Sequence, residues 1–324
     1  MILSRRSIIL SGITVAASAA LPRFAYAAAG TPKRLVFVIQ RGAADGLAAI
    51  APTGDPAFAD ARRALADESA GGAKLDAMFT LHPALATGAT LFGAKQAHFA
   101  HAVATAYRDR SHFDGQNVLE GGGSRPYERD DGWVGRLLTL LPAAEREALA
   151  IAPAVPLALR GSVPVATYAP SRLPQADADL IARLTALYAD DALLRPLWDS
   201  AVKTQELASD ISGNNGRNGA ELGKLAASLM LPEGGARVMM VETGGWDTHS
   251  GQRGRLAAQL RGLDQLVGAL QAGLGPAWGD TLVIVATEFG RTVEVNGTGG
   301  TDHGTASTAM LLGGGLAAGG KVSA

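Results

Sequence analysis

Lys33-Arg34-Leu35-Val36-Phe37-Val38-Ile39-Gln40, running into Arg41-Gly42-Ala43-Ala44-Asp45-Gly46-Leu47, is the stretch from which the fold is read. Leu35 to Ile39 are continuously apolar and rich in β-branched residues, as a strand buried on both faces requires. A glycine-punctuated loop follows at once, so the strand delivers Asp45 at its end. Working outward, further strands are expected at 97–104, 148–153, 157–159, 237–242, 281–287 and 308–312. Helices are expected over 133–141, 143–149, 175–209, 220–230 and 252–273, with another beginning near Ser111. Residues 211–219, containing Gly213-Asn214-Asn215-Gly216, read as a loop between helices. In the 252–273 segment Leu256, Leu260, Leu263, Leu266, Val267 and Leu270 form one apolar stripe. Apolar strands alternating with helices predict an α/β fold with a mostly parallel central sheet covered by helices on both faces.

Composition narrows the function. The 324 residues are 47% hydrophobic and 18% charged, which suits a globular chain with a sizeable core. There is no cysteine, so disulfides and thiolate metal sites are excluded; a metal would need His, Asp, Glu, hydroxyl or water ligands. At the start, Arg5 and Arg6 precede an apolar run from Ile8 to Leu21, and Ala25-Tyr26-Ala27 offers a small-x-small cleavage site. That order is a secretory signal over residues 1–27, and the paired arginines point to the twin-arginine export machinery. The run is shorter than the ~20 residues a membrane span needs, so no stable span is expected after cleavage. The mature part, 28–324, is expected to be a single domain in the periplasm or outside the cell. Loss of Arg5, Arg6 and Arg23 leaves 26 of the 29 basic residues against 30 acids, a formal charge of −4. That gives no electrostatic case for nucleic acid as a partner.

In open parallel sheets, ligands sit beyond the carboxyl ends of the strands. The polar residues after each expected strand are therefore the candidates. They are Asp45; Arg110, Ser111, His112 and Asp114; Asp247-Thr248-His249; Glu288 and Arg291; and, before the last strand, Asp302-His303-Gly304. Each has a plainer reading. Asp45 before Gly46 suits a turn, and Ser111 suits a helix N-cap. Asp247 and His249 suit either a chelate or an ordinary loop pair. Glu288 and Arg291 suit a surface ion pair. His82, His98 and His101 read as structural, and His112 reads either way. Co-location at one rim of the sheet, rather than any single motif, raises the functional reading.

Taken as a set, certain motifs carry a resemblance. They are Leu35-Val36-Phe37-Val38 with Gly42-Ala43-Ala44-Asp45-Gly46-Leu47, Arg110-Ser111-His112-Phe113-Asp114-Gly115-Gln116, Gly244-Gly245-Trp246-Asp247-Thr248-His249, Glu288-Phe289-Gly290-Arg291-Thr292, and Thr301-Asp302-His303-Gly304. Over nearly all of 28–324 the chain resembles an uncharacterised family of twin-arginine-exported bacterial proteins, a distant branch of the alkaline phosphatase and sulfatase superfamily. The resemblance implies an alkaline phosphatase-like domain acting on phosphate or sulfate esters, with an anionic small molecule or polysaccharide as substrate. It implies Ser111 as nucleophile, with Arg110 or Arg291 clamping the anion. It implies a divalent metal, zinc in the first place with manganese or calcium as alternatives. One metal set is Asp247, His249 and His303, with Asp302 fixing the His303 ring; a second is Asp45, Glu288 and Ser111. Phe289 stands where that superfamily has a histidine ligand, which leaves the second set short. Related chains continue beyond Lys321-Val322-Ser323-Ala324, so a truncated C-terminus is also expected. The rival readings are a non-catalytic binding protein and an assembly protein on the same fold.

The export expectation has a direct check. Replacing Arg5 and Arg6 together by lysine should leave the uncleaved chain in the cytoplasm of a host with the twin-arginine route, read by cell fractionation. Periplasmic, processed protein from that double variant would remove the twin-arginine assignment.

Overall fold

The computed structural model describes residues 31–169, 178–209, 218–316 and 319–323. The expected signal segment 1–27 and the turn 213–216 lie outside the described residues. The strands are β1 (Arg34–Gln40), β2 (Ile50–Ala51), β3 (Ala73–Lys74), β4 (Thr80–Leu81), β5 (Ala97–Val103), β6 (Ala148–Ile151), β7 (Ala166–Tyr168), β8 (Val238–Thr243), β9 (Thr281–Ala286), β10 (Arg291–Val295), β11 (Thr301–His303), β12 (Ser307–Leu312) and β13 (Lys321–Ser323). Eight of them form one sheet in the order β13-β5-β12-β9-β1-β8-β6-β7. Its pairs are parallel except at β12, which runs antiparallel to both β5 and β9. The fold class is therefore α/β with a mostly parallel central sheet flanked by helices. Thr31–Ala324 forms one compact unit.

The unbroken apolar run of β1 follows from its place in the middle. Val36 and Val38 point into one core layer, where helices Ala86–Gly93, Gly219–Met230 and Gln252–Leu274 cover the sheet. Phe37 and Ile39 point into the other, under helix Trp133–Leu140. Successive side chains of a strand alternate between faces, so a strand covered on both sides has no polar position to spare. The stripe Leu256, Leu260, Leu263, Leu266, Val267 and Leu270 is buried as its spacing requires. Among the described residues no helix is long and apolar enough to cross a membrane.

The structure departs from the sequence expectation in several places. Residues 157–159 form a single 3-10 turn rather than a strand, entered through Pro156 at φ −62°. Residues 143–149 are a 3-10 turn at Ala143–Glu145 running into β6. The span 175–209 is two helices in its described part, Ala178–Leu187 and Leu194–Ser209. Asp191 restarts the second by accepting hydrogen bonds from the N–H groups of Leu193 and Leu194. The small sheet β2-β4-β3, the hairpin β10-β11 and the edge strand β13 are absent from the sequence reading. Each strand of the small sheet is two residues long, too short to show a period.

Helices Gly219–Met230 and Gln252–Leu274 pack closely because glycine lets their backbones touch. A Cβ on Gly219 would sit 1.7 Å from the carbonyl oxygen of Gly262, whereas a Cβ on Gly262 itself would meet nothing within 4 Å. Gly219→Ala should therefore destabilise the fold by ~1–3 kcal/mol through overpacking. Gly262→Ala should stabilise it by ~0.5–1 kcal/mol through the backbone alone. Urea midpoints of the two variants check this; equal midpoints would mean that the helices do not rest on that contact.

Candidate metal centre

The parallel register β8-β1-β9 ends three strands at one rim, and the loops that follow carry the chemistry. The loop after β8 brings Asp247 and His249. The loop after β9 brings Glu288, Phe289 and Arg291. Helix His112–Gly121 begins at the same rim after β5, and β11 ends on His303. Arg291 and His303 face each other across the β10-β11 ladder.

His112, Asp247 and His303 each offer a ligand atom, and these atoms lie within 4.8 Å of one another. His112 Nε2 is 3.1 Å from His303 Nε2 and 3.5 Å from Asp247 Oδ2. His249 lies alongside, its Nε2 3.0 Å from His303 Nε2 and 2.9 Å from Asp247 Oδ1. The other ring nitrogens fix the tautomers. His112 Nδ1 donates to Glu288 Oε1 at 2.9 Å, His249 Nδ1 to Asp302 Oδ1 at 3.0 Å, and His303 Nδ1 to the Arg110 carbonyl at 3.1 Å. A carbonyl or an ionised carboxylate only accepts, so each ring carries its proton on Nδ1. Neutral rings then present lone pairs at Nε2, directed at each other across 3.0–3.1 Å. Lone pairs that close repel unless a proton or a cation lies between them. Ligand atoms around a tetrahedral zinc, at about 2.0–2.1 Å from the ion, stand about 3.3–3.4 Å apart. The residues present fit a divalent cation, and every imidazole has the outer acceptor that metal-bound histidines use.

Electrostatics keep the two carboxylates ionised. Burial alone would raise the Asp247 carboxyl, yet Arg291, donating to Oδ1 at 2.6 Å, holds it below the usual carboxylate range. Burial likewise opposes ionisation of Glu288, but hydrogen bonds from His112, Gln116 and the Gly42 N–H hold it down. The hydrogen bond to Glu288 raises His112, while burial, followed by the charge of His112, lowers His303. Phe289 packs against the rings of His112 and His303 at centroid distances of 5.0 and 5.2 Å. Gly115 makes room for it: a Cβ there would lie 2.9 Å from Phe289 Cδ1.

Of the residues expected at the site, Asp247, His249 and His303 come together, and His112 joins them. His112 was ambiguous in sequence because a lone histidine opening a helix has no spacing partner; its nearest bonded groups lie far along the chain. Asp302 serves the ring of His249, and a main-chain carbonyl takes the part expected of it at His303. Glu288 spends one oxygen on His112, Gln116 and Gly42 and the other on Thr287. Asp45 is completely buried and held apart. Its Oδ1 accepts from the N–H groups of Leu47 and Ala48, and its Oδ2 from Arg62 at 2.5 Å and Gln252 at 2.7 Å. Arg291, expected at the substrate, is buried and bound to Asp247 and Thr301. Ser111 is the N-cap residue of its helix, with no capping bond from its side chain. Arg110 is exposed, and its side chain has no partner among the described residues. His82, His98 and His101 bond to Ala84, Ser323 and the Ile50 carbonyl.

Residues 32–324 match the family described as "Protein of unknown function (DUF1501)". The chain belongs to that family. No curated protein matches this DUF1501 chain. Among solved structures it is similar to the zinc complex of the C-terminal periplasmic domain of EcEptC from Escherichia coli, at 6% identity and TM-score 0.44, covering 88% of this chain and 73% of that one. It is similar to an alkaline phosphatase superfamily protein from Vibrio parahaemolyticus at 11% identity and TM-score 0.41, covering 91% and 62%. A third is the phosphonate monoester hydrolase of Agrobacterium radiobacter, at 13% identity and TM-score 0.33, covering 86% and 68%. The DUF1501 chain thus spans about two thirds of the length of these proteins.

Beneath the rim, the Asp45–Arg62 pair has a further acidic neighbour. Glu68 is buried, and burial, with the negative charge of Asp45, pushes its carboxyl up to about 7; Arg62, Arg253 and Gln252 pull the other way. The folded chain therefore holds this proton more tightly than the unfolded chain does. Stability should fall as pH rises from the ordinary value of 4.5 towards about 7 and then level off. Glu68→Gln should remove this slope and raise stability at pH 8, measured by urea unfolding at pH 5 and pH 8. An unchanged slope would mean that Glu68 ionises freely in the fold.

Proposed function

We propose that this protein is an exported, metal-dependent hydrolase of phosphate or sulfate esters, with a single cation held by His112, Asp247 and His303 and flanked by His249. The observation that carries the reading is the set of imidazole Nε2 lone pairs turned towards each other and towards an ionised Asp247. Two or three imidazoles with one carboxylate favour zinc over calcium; manganese is the next choice. A divalent ion there would supply Lewis-acid polarisation of an ester oxygen. Glu288, Asp302 and the Arg110 carbonyl hold the rings, and Arg291 keeps Asp247 charged. Ser111, one residue before His112, leaves its hydroxyl out of capping and stands where helix N–H groups favour an anion. It is the nucleophile in this reading. Arg110, without a side-chain partner among the described residues, takes the anionic group of a small-molecule or polysaccharide ester. The oxygens of Asp45 and Glu288 are occupied by protein donors, which is why the reading has one cation. Export through the twin-arginine machinery rests on Arg5, Arg6 and the segment after them.

A second reading, a non-catalytic metal-holding protein on the same fold, is favoured by Phe289, whose ring fills space beside two of the imidazoles. Zinc titration by calorimetry should give a stoichiometry near one that is lost in His303→Ala and Asp247→Ala. Zinc bound as tightly by both variants would rule out the centre. With zinc present, aryl phosphate or aryl sulfate turnover should fall by orders of magnitude in Ser111→Ala while zinc is retained. Zinc binding with no turnover of either ester by the parent chain would select the second reading.

A further inference from the structure

A cleft of about 690 Å³ lies under the β10-β11 hairpin, and none of the four side chains of the metal group lines it. Its walls come from helix Gly46–Ala49, the end of β5, the hairpin and the loop before β12. The apolar part is Leu47, Ala102, Val293, Val295 and Ala306. Val293 is exposed on a hairpin strand, where an apolar side chain gains nothing from water. At one end stands Arg110, which also lines the cleft, and whose carbonyl holds the ring of His303. Two lining residues other than glycine, Ala102 and Arg110, adopt left-handed backbone at φ 57° and 60°. That conformation strains residues that carry a Cβ, and such strain clusters at ligand-binding positions.

The charged side chains of the lining sort by their partners. Arg291 is bound to Asp247 and Thr301, and Asp302 to His249 and Asn296. Arg110 and Glu294 have no side-chain partner among the described residues. The volume is that of a pocket for a small organic molecule, and its accessible wall is mostly apolar although polar residues stand around it. We infer that this cleft is a binding site for an amphiphilic monoanion, with an aryl or short alkyl body against Leu47, Val293 and Val295 and its acidic head on the Arg110 guanidinium. Glu294 disfavours a second negative charge on the body. The site adjoins the metal group and does not depend on any reaction there: it meets that group at Arg110, which lines the cleft and whose carbonyl holds the His303 ring, so an ester held by Arg110 and an amphiphile in the cleft would compete for one guanidinium.

The probe is 1-naphthalenesulfonate, which has no ester to hydrolyse, compared by calorimetry with methanesulfonate and 1-naphthol. The sulfonate with the aromatic body should bind at least tenfold more tightly than either the head or the body alone. Val293→Asp and Arg110→Gln should each weaken it at least tenfold, and Val293→Asp should leave zinc stoichiometry as in the parent. Arg110→Gln changes an exposed side chain and retains the carbonyl, so it serves if Val293→Asp fails to fold. Equal binding of the three probes, or naphthalenesulfonate bound equally by the parent and Arg110→Gln, would overturn the assignment. Loss of zinc binding in the parent would overturn the metal centre and leave this site standing.

Discussion

A carboxylate cannot stay charged inside a protein without donors, and Glu288 has no exposed surface. Its donors come from three separate parts of the chain: the Gly42 N–H after β1, His112 and Gln116 on the helix after β5, and Thr287 at the end of β9. Satisfying that one group draws three loops to a common rim. The same bond that stabilises the charge on Glu288 also decides which nitrogen of His112 is bare. Fold stability and site geometry therefore share one buried charge, and a defect in either would be felt in the other.

The remaining acids at the rim divide by the company they keep. Asp45 is enclosed by Arg62, Gln252 and two main-chain N–H groups, so its negative charge is spent on structure. Asp247 is held by Arg291, faces the edges of His112, His249 and His303, and remains 42% exposed on its side chain. A cation approaching from solvent would find Asp247 and the histidine edges, while Asp45 and Glu288 stay behind. The difference lies in solvation and partner count. Residue type alone would have treated these acids as equals.

Much of this was legible in the sequence. The unbroken run Leu35–Ile39 gave the central strand, and the leucine stripe after residue 252 gave its covering helix, because burial on both faces and burial on one leave different periods. The rule that ligands gather beyond strand ends singled out Asp247 and His249, and His303 was read from the loop before the last strand. What stayed hidden depended on partners distant in the chain. Nothing near His112 announces Glu288, and nothing near Asp45 announces Arg62 or Gln252. The Arg110 carbonyl was invisible for another reason, since a main-chain oxygen has no letter in a sequence. The two-residue strands and the turn at 157–159 failed because so few residues cannot express a period.

Phe289 and Gly115 carry a consequence for how such chains diverge. The ring is wedged beside two imidazoles only because the helix opposite offers a bare Cα at Gly115. Position 115 cannot gain a side chain alone. A bulkier residue at 115 would demand a smaller or reshaped one at 289, and the displaced volume would fall on the histidines between them. Descendants that gain a side chain at 115 should thus alter 289 as well, leaving a linked pair of letters far apart in the text.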